Sequence, residues 1–105
     1  MHAEGDGSLG HDGYITFHNG IYKRKLFDLE EVNRRVAEAP RSLWSDGKPP
    51  APLFLLARYE KGKRLRYSAY DMGKFAQASV SILGDLWPAG DHVWRVWCAH
   101  VRSVV

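Results

Sequence analysis

Asn19-Gly20 stands between Tyr-Ile-Thr-Phe-His at 14–18 and Ile-Tyr-Lys-Arg-Lys-Leu-Phe at 21–27, two runs rich in aromatic and β-branched residues. Both central residues of a type I′ turn need positive φ, which Asn and Gly tolerate best, so this pattern predicts a β-hairpin. A two-residue turn also sets the register. His18 then faces Ile21, Phe17 faces Tyr22, Thr16 faces Lys23, Ile15 faces Arg24 and Tyr14 faces Lys25. One side carries Ile15, Phe17, Tyr22 and Leu26 toward a core. The other carries Tyr14, Thr16, His18, Lys23 and Lys25 toward solvent.

A helix follows. Asp28 is placed to accept from first-turn amides, with Glu31 adding negative charge near the N-terminus. Leu29, Val32 and Val36 recur at spacings of three and four, and Pro40 ends the element. Residues 42–52, with Gly47, Pro49, Pro50 and Pro52, read as a stiff connection anchored by Leu43 and Trp44. Leu53 to Glu60, Lys61-Gly62 and Lys63 to Tyr70 read as a second hairpin. Its returning strand directs Leu65, Tyr67 and Ala69 inward and Arg64, Arg66, Ser68 and Tyr70 outward. Asp71 is the expected cap of a second helix with Met72, Phe75, Ala76, Ser79, Ile82 and Leu83 on its buried stripe and Gly84 as its stop. His92 to Val105 reads as a last strand. The order ββα-ββα-β predicts a two-layer α+β domain, a mainly antiparallel five-stranded sheet with two helices on one face. The halves share this layout without matching residue for residue.

The chain has 105 residues, 45% of them hydrophobic and 26% charged, the profile of one globular domain. Residues 1–12, with Gly5, Gly7 and Gly10 among polar neighbours and only Leu9 to anchor them, read as a flexible tail, leaving 13–105 as the domain. The longest uncharged stretch, Phe75 to Gly84, is half what a membrane span requires. The acidic start lacks the basic flank and apolar run of a secretory signal. A single cysteine, Cys98, allows no internal disulfide, and the expectation is a reducing, cytoplasmic setting.

The formal charge of +3 is unevenly spread. Residues 21–66 hold twelve Lys and Arg against six Asp and Glu, residues 1–20 are acidic, and residues 67–105 are balanced. On the expected sheet, Lys23, Lys25, Arg64 and Arg66 would share an open face with Tyr14, His18 and Tyr70. Cations for phosphates beside rings for bases are the two components of single-strand nucleic-acid recognition. The leading functional reading is thus a non-enzymatic module that binds nucleic acid or another polyanion on this face.

The last segment supplies a second reading. As a strand of fourteen residues it is apolar on both sides, with Trp97 and Val101 on one face and Trp94, Val96 and Val104 on the other. Helices on one side of a sheet would leave the second face bare, which predicts a homodimer or a protein-interaction surface through these five residues. A small-molecule pocket between sheet and helices, lined by aromatic side chains, is a third possibility. No cofactor or metal is expected. Cys98 and His100 share a strand face, but no paired ligand spacing accompanies them, and no phosphate-cradling loop or catalytic motif is present.

Overall fold

The computed structural model describes residues 2–104, and among these it contains helices and no β-strand. Helix α1 (His2–His18) runs into a wider π-helical turn at Asn19–Lys23. Then come α2 (Leu29–Glu38), α3 (Ala69–Ile82) and α4 (His92–Val104), with single 3-10 turns at Arg41–Leu43 and Gly84–Leu86. The expected α+β domain with a five-stranded antiparallel sheet is corrected to an all-helical one.

The first hairpin fails because the same residues also satisfy a helical period. Leu9, Gly13, Phe17 and Ile21 recur every four residues and all are buried. Gly20 is not among the positive-φ glycines, so no type I′ turn forms. Its missing side chain serves packing instead: a Cβ there would lie 2.6 Å from Trp87 Cη2 and 2.8 Å from the Phe27 ring. The two faces exchange accordingly. Ile15, assigned to the core, is exposed, while Tyr14, Thr16 and His18, assigned to solvent, are buried. Residues 2–12, read from sequence as a tail, are the first turns of α1, with Leu9 only 1% exposed; Met1 lies outside the described residues.

The final strand is likewise corrected to a helix, α4, with Val105 outside the described residues. Asp91 starts it by accepting from the Trp94 amide at 3.1 Å, and Arg24 holds the same carboxylate at 2.5 Å. Wound at 3.6 residues per turn, Trp97, Cys98 and Val101 gather on one buried face while Val96 and Val104 face outward. β-Branched residues reduce helix propensity by only tenths of a kcal/mol each, less than one buried tryptophan returns.

The two helices read from sequence are present. The Asp28 carboxylate accepts from the Glu31 amide at 2.8 Å, and Val32 and Val36 are buried. In α3, Met72, Phe75, Ala76 and Ser79 are buried, but the cap is Ser68, whose hydroxyl accepts from the Asp71 amide at 3.1 Å. Helix α4 lies antiparallel along α1: His100 meets Asp12, Trp97 meets Gly13, Trp94 meets Phe17 and Asp91 meets Arg24. The buried Trp97 indole N–H donates to Ser79 Oγ at 2.9 Å, and that hydroxyl donates to the Ala76 carbonyl at 2.7 Å. No polar atom of this chain of contacts is left without a partner.

Two glycines should respond to substitution in opposite directions. Gly20→Ala drives a methyl into two rings, and overpacking of about 1–3 kcal/mol exceeds the ~1 kcal/mol gained in helix propensity. Gly73, inside α3, has nothing within 4 Å of a Cβ, so Gly73→Ala should stabilise by about 0.5–1 kcal/mol. Thermal unfolding followed by helical circular dichroism should show Tm falling for the first and rising for the second.

A basic strap as candidate binding site

Residues 51–67 leave the helical body as an extended excursion that turns at Lys61-Gly62. The turn expected from the sequence is there: the Lys63 amide donates to the Glu60 carbonyl at 3.3 Å and Gly62 takes φ +80°, which favours glycine. The legs form no ladder, so the expected second hairpin is corrected to a strap.

Side chains of the body hold the strap in place of a second strand. Asn33, on α2, accepts from the Leu53 amide at 2.6 Å and donates to the Leu53 carbonyl at 3.0 Å, as a neighbouring strand would. Tyr22 OH donates to the Leu55 carbonyl and His18 Nε2 to the Ala57 carbonyl, both at 2.7 Å. A carbonyl only accepts, so the His18 proton sits on Nε2. Tyr14 OH receives the Glu60 amide at 2.9 Å, Tyr67 OH donates to the Ala51 carbonyl at 2.8 Å, and the Leu65 amide donates to the Gly10 carbonyl at 3.0 Å. Burial pushes the Tyr67 hydroxyl well above its usual ionisation range, which keeps it a donor. Leu53, Leu55 and Leu65 point into the core, whereas Phe54, Leu56 and Tyr59 stand about half exposed.

Charge separates strap from body. Four cations of the body are matched, Arg24 with Asp91, Arg34 with Glu31 and Glu38, Arg35 with Glu31 and Asp85, and Lys74 with Asp46, while Arg95 and Arg102 on α4 form no ion pair among the described residues. Residues 51–67 carry five Lys and Arg against Glu60 alone, a balance of +4 that exceeds the charge of the whole chain. Among the described residues Arg58, Lys61, Arg64 and Arg66 form no ion pair; Arg66 instead lies 5.4 Å above the Phe54 ring. The Glu60 carboxyl registers this field. Its hydrogen bond to Lys63, reinforced by the charges of Lys63, Arg58 and Arg66, holds it below the usual carboxylate range.

Beside the strap a groove of about 540 Å³ opens between Ile15, His18, Tyr22 and Lys23 of the body and Ala57 and Tyr59. Tyr59 closes over it, its ring centroid 5.2 Å from His18 and 5.5 Å from Tyr14.

Of the residues singled out by sequence, Tyr14, Arg64 and Arg66 lie together with Phe54, Arg58 and Lys63 at the strap, and His18 and Lys23 line the groove beside it. Tyr14 and His18 are buried and spend their polar atoms on the strap, so they support the surface and do not present rings to a ligand. Lys25 does not line the groove, and Tyr70 stands apart over Lys74, whose ammonium is 4.5 Å from its ring. Lys61 and Lys63 belong to the basic stretch noted in the sequence but were not named as contacts, and Phe54, Arg58 and Tyr59 were not singled out; the signal for them was the Leu-Phe-Leu-Leu run directly before the basic cluster. The strand-face pairing of Cys98 with His100 is corrected as well. Two positions apart on a helix they diverge, and burial raises the Cys98 thiol above its ordinary range.

Trp97 and Val101, expected to meet a second copy, are core residues, and Trp94 stacks on Trp87 at 5.4 Å. Only Val96 and Val104 of that set are exposed. Among the described residues no helix is long and apolar enough to cross a membrane. No family model, curated protein or solved structure matches the chain.

If Asn33 substitutes for a neighbouring strand, Asn33→Ala leaves the Leu53 amide and carbonyl unpartnered at a half-buried position, at a cost of about 1–3 kcal/mol. Hydrogen exchange should show the Leu53 amide losing protection by more than the global destabilisation accounts for. Equal losses throughout the chain would mean that the strap is held by its leucines alone.

Proposed function

We propose that the protein is a small binding module for single-stranded nucleic acid, working through the basic strap and the groove beside it. The observation that carries this reading is the concentration of unpaired cations, Arg58, Lys61, Arg64 and Arg66, next to the accessible rings of Phe54 and Tyr59. Such cations neutralise phosphates, and accessible rings stack on bases without sequence preference. Lys23 adds a cation to the groove beside the strap, where Tyr22 and Tyr59 offer flat walls. The reading needs one copy of the chain. The homodimer inferred from a two-faced apolar strand has lost that basis, because the segment is a helix that buries Trp97 and Val101 internally and leaves only Val96 and Val104 of the set exposed.

Fluorescence anisotropy with a labelled oligothymidylate tests the proposal. Affinity should fall with added salt along a log–log slope of about −0.7 per phosphate contact, close to −3 if four cations engage. Arg64→Glu with Arg66→Glu should abolish binding, whereas Arg95→Glu on α4 should leave it intact. Tyr59→Ala should weaken the oligonucleotide by about 1–3 kcal/mol without affecting heparin, which has no bases to stack. Failure to bind at low salt, or equal binding by the double variant, would overturn the proposal. Equal loss of oligonucleotide and heparin in Tyr59→Ala would reduce it to a general polyanion site.

A further inference from the structure

A second constellation lies between α1 and α4 and shares no residue with the strap. Ser8 Oγ is 2.8 Å from His100 Nε2, and His100 Nδ1 is hydrogen-bonded to Asp12 Oδ2. Ser8 and Asp12 are four positions apart, so one face of α1 presents both to the same imidazole. An ionised carboxylate only accepts, which places a proton on Nδ1, and in the neutral form of the ring Nε2 accepts from the Ser8 hydroxyl. This is the hydrogen-bond order of a nucleophile, its base and the group that orients the base. The serine is exposed and the imidazole is half-buried, so a small reactant can reach Oγ while α4 holds the ring.

We propose that Ser8 is an activated nucleophile that accepts acyl groups from small activated carboxylic esters, with His100 as general base and Asp12 as the residue that fixes its tautomer. Ser8 Oγ bonds to the acyl carbon as its proton passes to His100 Nε2. The ester C–O bond breaks, the leaving oxygen keeps the bonding electron pair and takes the proton from His100 Nε2, and the imidazole is neutral again. Water, deprotonated in turn by His100, then releases the carboxylic acid and restores the serine. Within α1 the backbone amides point along the helix to its own carbonyls, so the site has no preformed oxyanion hole. That restricts the donors to esters whose leaving groups need little help, and it sets this chemistry apart from binding at the strap.

The same three residues could serve only to clamp α1 to α4, and the choice of variants separates the two roles. Asp12→Asn keeps a side chain that can bond to His100 but removes the carboxylate charge that fixes the Nδ1–H tautomer and stabilises the imidazolium, weakening the base while preserving the clamp. The wild-type chain incubated with p-nitrophenyl acetate should gain one acetyl group that peptide mass spectrometry places on Ser8, with matching release of p-nitrophenolate. Asp12→Asn and His100→Gln should acetylate Ser8 roughly 100-fold more slowly, the lower end of what a positioned base contributes, with Tm little changed. Ser8→Ala should remove that label alone. An unlabelled Ser8 in the wild type, or labelling of Asp12→Asn at the wild-type rate, would overturn the proposal and leave the clamp.

Discussion

The Phe17 ring is fully buried where α1, α3 and α4 converge, and it meets four other rings edge-on: Phe75 at 5.3 Å, Trp97 at 5.8 Å, Trp87 at 6.0 Å and Trp94 at 6.5 Å. Each such pair is worth about 0.5–1.5 kcal/mol beyond its burial. The partners come from α3, from the connection after it and from α4, so one side chain sets where three parts of the chain sit. Large rings can crowd around α1 only if the helix is thin beside them. Gly13 and Gly20, four residues before and three after Phe17, meet that need: side chains there would run into Leu65 and Trp97, or into Phe27 and Trp87.

That dependence explains which elements could be read from sequence. Helix α2 was legible because its Asp28 cap, its period and Pro40 all act locally and agree. Helix α3 was nearly as clear, with its cap displaced by three residues to Ser68. The end of α1 was read as a strand because Tyr14–His18 alternates over five residues, and α4 because its segment is apolar on both faces of a period of two. Their β-branched and aromatic content points the same way. What decides for helix is a long-range event, the closing of Trp94 and Trp97 onto Phe17, and a single sequence does not display it. Gly20 was the misleading residue, since the lack of a side chain that suits a turn equally suits a crowded helix.

The candidate site was legible in its charge and not in its shape. The Lys61–Arg66 cluster marked the right stretch: Arg64 and Arg66 belong to it, Tyr14 lies against it, and His18 and Lys23 line the groove alongside. The role of the rings was inverted. On a sheet, Tyr14 and His18 would lie open beside the cations; on α1 they turn inward and grip the strap from beneath, and Tyr59 becomes the accessible aromatic.

A strap tied by side chains behaves differently from a strand tied by a ladder. Every rung of a ladder supports its neighbours, so a leg moves as a unit. Here Asn33, Tyr22, His18 and Tyr14 hold separate points along the outgoing leg, and the tip at Lys61-Gly62 is secured by little beyond its own turn. The tip can therefore shift while the aromatic core stays closed, because opening one hydrogen bond at the surface costs far less than global unfolding. Lys61 sits on this compliant tip, Arg64 and Arg66 flank the anchored Leu65, and the supporting residues lie on the rigid part. A backbone of irregular phosphate spacing is met best by that division, with the helices fixing where the strap begins and ends and the strap adjusting between them.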